Sequence, residues 1–344
     1  MSPLPDGPRI QPSGSDADVV ASTRVRLARN VAGFPFVNRA SAMQRQQILS
    51  MLQAVAFPPE IAPDMKWLNL AQTPPRDRML LVERHLISRQ LAEGDAPRSV
   101  AISGDETFSL MVNEEDHVRL QVVLPGLQLV ETLRRADALD DAIEAQVDFS
   151  FSRRFGYLTA CPTNVGCGIR VSVMLHLPAL RITNEIERVR RAAKDLNLAV
   201  RGFYGEGSES AGDFYQVSNQ VTLGVAEQDV LESFRRDIVP RMVDYEREAR
   251  RLLARQSPAA LDDRLCRALA VLRSARLLGG EEAMKLLSRV RLGIHVERLR
   301  DIDLRVVDRL MLRSSPRLGR PRSATSTATS RTSAGVARAD GAGA

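Results

Sequence analysis

Tyr157-Leu-Thr-Ala-Cys161-Pro162-Thr-Asn-Val-Gly166-Cys167-Gly168-Ile169-Arg170-Val171-Ser172-Val173-Met174 is the stretch from which the rest of the chain can be read. It has the pattern of a turn feeding a strand. Pro162 holds its own φ near about −65° and biases Cys161 towards extended geometry. Gly166 and Gly168 let the backbone bend where a side chain would clash. From Ile169 the residue types alternate: Ile169, Val171, Val173 and Leu175 point one way, and Arg170, Ser172, Met174 and His176 the other. A thiol, a tight turn and an arginine on one strand face therefore fall within ten residues.

Working outward, Ser22-Thr23-Arg24-Val25-Arg26-Leu-Ala-Arg29-Asn30 places Arg24 and Arg26 two apart, on the same side of an extended segment. Two guanidinium forks on one side suit adjacent phosphates, and a solvated basic strand is the alternative. Residues 98–124 read as hairpin material around the turn Asn113-Glu114-Glu115-Asp116. Three acids in a turn are ordinarily solvated. After the turn, Val118, Leu120 and Val122 would face a core, with Arg119 and Gln121 opposite. Further on, Arg201-Gly202-Phe203-Tyr204-Gly205-Glu206-Gly207 is a glycine-punctuated loop able to wrap closely round a ligand and move, and a strand follows from Phe214. Helical patterns cover 40–56, 126–147 and 184–196, with a helical turn and loop in 77–90 that carries His85. From Ala226 the pattern is helical throughout, over 226–253, 260–277, 280–291 and 302–312.

These elements predict an α+β fold: an antiparallel sheet flanked by helices, followed by a small all-helical C-terminal domain. The expected division is a disordered leader at 1–16, a catalytic-type domain at 17–240, a helical domain at 241–313 and a disordered Ser/Thr/Ala/Arg-rich tail at 314–344. The 344 residues suffice for a sizeable core, and 44% apolar with 26% charged residues is ordinary for a globular chain. No apolar run is long enough for a membrane span, and Met1 to Asp18 lacks the apolar core of a secretory signal. Three widely spaced cysteines fit a reducing cytoplasm better than a disulfide framework. The net charge of +6 does not imply nucleic-acid binding, because Arg317, Arg320, Arg322, Arg331 and Arg338 against Asp340 place +4 of it in the tail. Only Lys66, Lys194 and Lys285 among the 48 basic residues are lysines. No Gly-x-x-x-x-Gly-Lys-Ser/Thr loop and no His-Arg-Asp element is present, which excludes an ordinary serine/threonine kinase.

The motifs carry a resemblance. Cys161-Pro-Thr-Asn-Val-Gly166, followed by Gly168-Ile-Arg-Val-Ser-Val173, resembles the cysteine signature of the phosphagen (guanidino) kinases. The continuation Met174-Leu-His-Leu-Pro-Ala-Leu180 is similar to the bacterial protein-arginine kinase branch of that family. The Ser22 to Asn30 segment, Glu83-Arg-His85-Leu-Ile-Ser88, Asn113-Glu-Glu-Asp-His-Val-Arg119, Arg201 to Gly207 and Gln216-Val-Ser-Asn-Gln-Val-Thr-Leu-Gly224 also match. The resemblance spans about 17–313. It implies ATP and Mg²⁺ as cofactors, with the metal bridging nucleotide oxygens. It implies that Arg24, Arg26, Arg119, Arg170 and Arg201 bind phosphates and that His85 reaches the nucleotide. Ser22, Thr23, Val25, Val171, Ser172, Val173, Met174, Gly202, Phe203, Tyr204 and Gly205 complete the nucleotide-binding segments. Glu115 and Glu206 would hold a guanidinium, Glu206 as general base, with Cys161 beside it.

The implied activity is ATP-dependent phosphorylation of arginine side chains in proteins. Its partners would be protein substrates with exposed or unfolded arginines, together with a zinc-binding activator protein and a Clp-type protease; no nucleic acid or membrane is expected, and a homodimer is left open. A small-molecule guanidino kinase is the runner-up; the 21 residues before Ser22 are too few for the extra N-terminal domain those enzymes carry. A non-catalytic phosphoarginine-binding adaptor is the third reading, disfavoured by retention of the five arginines, both glutamates and Cys161. Two positions depart from the family pattern. Cys167 stands where threonine is usual, either as a tolerated small residue or as a redox partner of Cys161. Arg300-Asp-Ile-Asp-Leu-Arg305 is not the Arg-Asp-x-x-Arg-Ala element of the bacterial branch, so allosteric control by phosphoarginine is left open.

Overall fold

The computed structural model describes residues 16–202 and 211–313. The expectations for the leader up to residue 15, for the loop 203–210 and for the tail from 314 lie outside those residues. Asp16, at the end of the expected leader, is placed: it makes an ion pair with Arg247 at 2.9 Å.

The strands, in chain order, are β1 (Val20–Arg29), β2 (Lys66–Asn69), β3 (Ser99–Ile102), β4 (Phe108–Val112), β5 (Val118–Pro125), β6 (Phe151–Ser152), β7 (Gly156–Tyr157), β8 (Ile169–His176), β9 (Leu198–Gly202) and β10 (Phe214–Asn219). The helices are α1 (Ala42–Gln53), α2 (Pro75–Glu83), α3 (Arg89–Glu93), α4 (Leu129–Glu144), α5 (Pro178–Ile182), α6 (Ile186–Asp195), α7 (Glu227–Ser233), α8 (Val239–Gln256), α9 (Pro258–Ser274), α10 (Gly280–His295) and α11 (Leu304–Arg313). Among the described residues, eight strands form one antiparallel sheet in the order β2-β3-β4-β5-β1-β8-β10-β9, and β6 and β7 form a separate hairpin. The predicted α+β architecture is the one observed. β2 was not expected: four residues are too few to show a period.

The β-branched alternation decides the two faces of the sheet. Val25, Leu27, Val118, Leu120, Ile169, Val171 and Val173 are almost wholly buried, against α1, α4, α6 and α8 in the main core. Burying one such side chain contributes about 1.5–3 kcal/mol, enough to fix the register wherever the pattern runs unbroken. Among the described residues, helices cover the other face at two places. Val100, Ile102 and Met111 pack under α2 and α3 through Leu81 and Leu91. Ala21, Met174 and Phe214 pack under α10 and α11 through Met284 and Met311. Between these two walls lies a trough floored by β5, β1, β8, β10 and β9.

α1 begins at a capping box, Ser41 accepting from the Gln44 N–H and Gln44 from the Ser41 N–H. The single helical pattern predicted over 226–253 is instead divided. α7 runs into a π-helical turn at Phe234–Ile238 before α8, immediately ahead of Pro240. Proline has no N–H for the preceding turn and its ring crowds the carbonyl four residues back, so the helix widens there. α8 itself continues past residue 241 without a break.

The helical C-terminal part is tied to the sheet by buried polar contacts. Arg291 on α10 donates to His176 Nδ1 (2.9 Å) and to the carbonyls of Ala17 and Asp18. That fixes the His176 tautomer with the proton on Nε2, 2.9 Å from Ser288 Oγ, which in turn donates to Asp213 (2.7 Å). Burial, with Arg291 beside it, holds the His176 pKa well below the usual imidazole range, so this histidine is neutral.

Candidate active site

The floor of the trough is a field of arginines. Alternation puts Arg24 and Arg26 of β1 on the same face, and the antiparallel register brings the others to them. Arg26 lies opposite Arg170 on β8 and Gln121 on β5; Arg119 lies opposite Ala28. Arg201 on β9 lies opposite Gln216, whose Oε1 accepts from Arg24 Nη2 at 2.6 Å. Arg24 Nε also donates to Ser172 Oγ (3.2 Å), and Arg170 Nε to Ser218 Oγ (3.3 Å). Arg119 pairs with the Glu114 carboxylate at 2.7 Å. Burial, and then the like charges of Arg119, Arg170 and Arg201, push Arg24 down to about 9, and burial, with Arg24, Arg119 and Arg170 beside it, holds Arg26 well below the usual guanidinium range. Such a crowd of cations is relieved by a multiply charged anion of matching fork geometry, as a polyphosphate has.

The alternation also sorts the remaining residues of the expected nucleotide-binding segments. Ser22, Ser172 and Met174 belong to the trough side, Met174 against the wall formed by α10 and α11. Val25, Val171 and Val173 turn into the main core and are fully buried, so their side chains face away from the trough. Thr23 is also fully buried on the core side, where its Oγ1 donates to the Gly126 carbonyl (2.7 Å) and accepts from the Gln128 N–H. Gly202 is buried at the end of β9; Phe203, Tyr204, Gly205 and Glu206 lie outside the described residues. His85 occupies a left-handed backbone position (φ 58°) just after α2, and its carbonyl accepts from Gln121 Nε2 at 2.7 Å. Burial, with Arg24 adding, drops its pKa to about 4, so it too is neutral near pH 7.

At one end of the trough stands the 113–116 turn. Its three acids look solvated in sequence, yet Glu114 and Asp116 are 3% and 2% exposed, and only Glu115 remains half-exposed. Glu114 accepts from Ser88 Oγ (2.6 Å) and Arg119 Nη1 (2.7 Å). Burial alone would raise its pKa; the Arg119 guanidinium, with the Ser88 hydroxyl, overcomes that and holds it below the usual range. Asp116 Oδ1 accepts from the Ala160 N–H (2.6 Å) and from Asn30 Nδ2 (2.7 Å). Asn30 also donates to the Leu158 carbonyl and accepts from the His117 N–H. Asp116 and Asn30 therefore clamp the residue before Cys161 to the turn that carries Glu115.

Cys161 is extended (φ −92°, ψ 119°) and leads into a single 3₁₀ turn, Pro162–Asn164. Its Sγ lies 3.0 Å from Thr163 Oγ1. The glycines predicted to bend this loop do so for a stated reason. A Cβ on Gly166 (φ 118°) would collide with the Thr222 carbonyl, and one on Gly168 (φ 65°) with Arg29 and the Ala28 carbonyl. Cys167 sits differently from Cys161: its thiol donates to the Thr222 carbonyl (3.3 Å), and burial raises its pKa. Arg29 braces the same loop from below. It is 1% exposed, donates to Asp140 (2.7 Å) and to the Cys167 carbonyl (3.1 Å), and stacks 3.5 Å from the Tyr157 ring centroid.

Sequence reasoning quoted Asn30, Glu114, Asp116, Gln216, Ser218 and Asn219 without giving them roles. Each orients a neighbour: Gln216 takes Arg24, Ser218 takes Arg170, and Asn219 accepts from the Val171 N–H (2.9 Å) and donates to the Ile169 carbonyl. For Gln216 and Ser218 the one signal available was their placement at alternate positions of β10, in register with β8.

Two family models match the chain: ATP:guanido phosphotransferase, C-terminal catalytic domain, over residues 50–249, and protein-arginine kinase McsB C-terminal domain, over 258–324. Protein-arginine kinase of Moorella thermoacetica is 46% identical over 310 residues, covering 89% of this chain and 88% of the relative. That of Symbiobacterium thermophilum is 44% identical over 314 residues, with the same coverage of each. Among solved structures, the duplicated taurocyamine kinase of Schistosoma mansoni, with bound transition state analogue components, is similar at TM-score 0.61 and 28% identity. The match covers 72% of this chain and 35% of that one, so the chain spans about a third of the duplicated molecule. Lombricine kinase shares the fold at TM-score 0.60 and 23% identity, over 76% of this chain and 74% of that one. By fold, motif order and identity over most of its length, the chain belongs to the ATP:guanido phosphotransferase family and, within it, to the protein-arginine kinases.

Proposed function

We propose that this protein transfers the γ-phosphoryl group of ATP to the guanidinium of arginine side chains in polypeptides. One observation carries the reading: five arginines share one sheet face, beside a turn that holds Glu115 and is hydrogen-bonded to the residue preceding Cys161. In this reading the arginines hold the nucleotide phosphates and spread the charge of the moving group. A guanidinium is a poor nucleophile because its lone pairs are delocalised and it stays protonated. Glu115 and Glu206 align its nitrogens, and Glu206 takes the proton that leaves as the new P–N bond forms and the γ-phosphoryl bond to ADP breaks. Cys161 supports the guanidinium from the side. Mg²⁺, if bound with the nucleotide, would offset the charge of the phosphates that the arginines hold.

The same reading divides the chain into a catalytic unit over 17–240 and a helical unit over 241–313. It also includes the setting the motif resemblance implies: a cytoplasmic quality-control role with a zinc-binding activator, a Clp-type protease and a homodimer. Among the described residues no helix is long and apolar enough to cross a membrane. The test is to incubate the full chain with ATP and either free arginine or an unfolded arginine-containing protein, mapping acid-labile phosphate. Protein labelling that Glu206→Gln abolishes, with ATP binding retained, is the expected result. Turnover of free arginine without protein labelling would move the activity to a small-molecule guanidino kinase.

A further inference from the structure

On the far side of the Cys161 loop lies a cleft of about 420 Å³ between the β6–β7 hairpin and residues 223–227. Gly166 and Cys167 form the wall it shares with that loop, and Phe151, Phe155, Tyr157 and Glu227 line it. Two of its aromatic rings are unusually bare: Phe151 is 59% exposed and Phe155 44%. Phe151, Phe155 and Glu227 take no part in the arginine trough.

We propose that this cleft is an accessory subsite for a second, non-reacting arginine of the polypeptide acceptor. The inference rests on the protein-arginine kinase reading and names a feature of substrate recognition beyond the reacting guanidinium. Two properties point to a guanidinium. The first is aromatic surface, since cations sit favourably over ring faces and guanidinium stacks flat on them. The chain itself shows the pose twice: Arg154 lies 5.0 Å from the Phe155 ring centroid, and Arg29 3.5 Å from that of Tyr157.

The second is charge complementarity. Glu227 lies 3.6 Å from Arg29, which is already paired with Asp140. Asp137 and Asp140 on α4 act on the same carboxylate, and Glu144 reaches the Tyr157 hydroxyl at 3.5 Å. Arg29 is thus the cation inside the group, with Arg154 on the exposed rim, and the carboxylates outnumber them. Burial pushes Glu227 up to about 7, Arg29 opposing and Asp137 and Asp140 adding. A further cation at Glu227 would relieve that crowding, and lysine would forgo the ring stacking that arginine gains.

The test titrates the full-length protein with a fluorescent peptide carrying several arginines, and with a lysine-for-arginine version. Wild type is compared with Glu227→Gln, which is near-isosteric, and with Phe155→Ala, whose ring is largely exposed. The expected result is preference for the arginine peptide and a Kd at least tenfold weaker in each variant, with Glu227→Gln unfolding at no lower temperature than wild type. In phosphorylation assays, KM for a multi-arginine acceptor should rise about as much while kcat changes little. Equal binding of the lysine peptide, or variants that bind as wild type does, would overturn the subsite. Because direct titration needs no phosphoryl transfer, a failure of the proposed activity would appear separately, as absent labelling of every polypeptide.

Discussion

Asp116→Ala tests whether the clamp between the Glu115 turn and the Cys161 loop matters to transfer. The wild-type carboxylate is 2% exposed and one oxygen accepts from both the Ala160 N–H and Asn30 Nδ2. Truncation leaves the Ala160 donor without this partner, at roughly 1–3 kcal/mol, and removes the second bond, worth about 1 kcal/mol because Asn30 keeps the Leu158 carbonyl. The total, roughly 2–4 kcal/mol, is read by urea unfolding. The hydrogen bonds of Asp116 go to Asn30 and Ala160 and not to the arginines of the trough, so KM for ATP should stay within about twofold, while kcat falls on the order of 10- to 100-fold through misplacement of the acceptor groups. Asp116→Asn is the control, since it keeps an acceptor oxygen. Burial raises the Asp116 pKa despite its hydrogen bonds, so the folded state favours the neutral carboxyl. Stability linked to that group is full below its ordinary value of 3.8 and is lost as pH rises through the higher folded value. The asparagine variant should therefore match or exceed wild-type stability at pH 7, with the advantage vanishing in acid. Wild-type turnover in Asp116→Ala, or equal loss in both variants, would refute the clamp.

Three further outcomes follow from the same geometry. Cys161→Ala should reduce transfer and remove sensitivity to thiol oxidants, whereas Cys167→Ser should keep that sensitivity, because the Cys167 thiol is occupied by the Thr222 carbonyl and its pKa is raised; the reverse pattern in an oxidant titration assigns the reactive thiol wrongly. Arg29→Ala should destabilise the fold by about 3–5 kcal/mol, since it strands a buried Asp140 and strips the Tyr157 ring of its partner; a loss under about 1 kcal/mol in urea unfolding contradicts this. Glu227 and Asp137 have folded values raised to about 7 and about 6, so their contribution is complete below the ordinary 4.5 and 3.8 and is lost as pH climbs through 6 to 7. The unfolding free energy of wild type relative to Glu227→Gln should fall across that interval, and a flat difference would count against the buried carboxylate group.

The main sheet strands were legible wherever apolar residues occupied every second position, as in β1, β5 and β8. A slip of one residue would turn Val25, Val171 and Val173 out of the core, so local pattern and global burial agree there. β2 was not legible, being four residues long, and neither was the break between α7 and α8. There Pro240 competes with an amphipathic pattern that reads continuously through it.

Residue identity settled much of the site as well. Two arginines at alternate positions must share a face, and a Cys-Pro turn followed by paired glycines must bend away from its strand. What the sequence could not settle was which of neighbouring polar residues touches a ligand and which touches the protein. Glu114, Glu115 and Asp116 are chemically alike and adjacent, yet two are buried anchors and one is left half-exposed. That difference depends on Ser88, Arg119, Asn30 and Ala160, which come from four other parts of the chain. The sequence by itself thus determined the strand faces, because burial acts on each residue through its own side chain and a short-range period. Only the tertiary structure decided the roles of the polar residues, because a hydrogen bond is defined by a partner whose position no local pattern encodes.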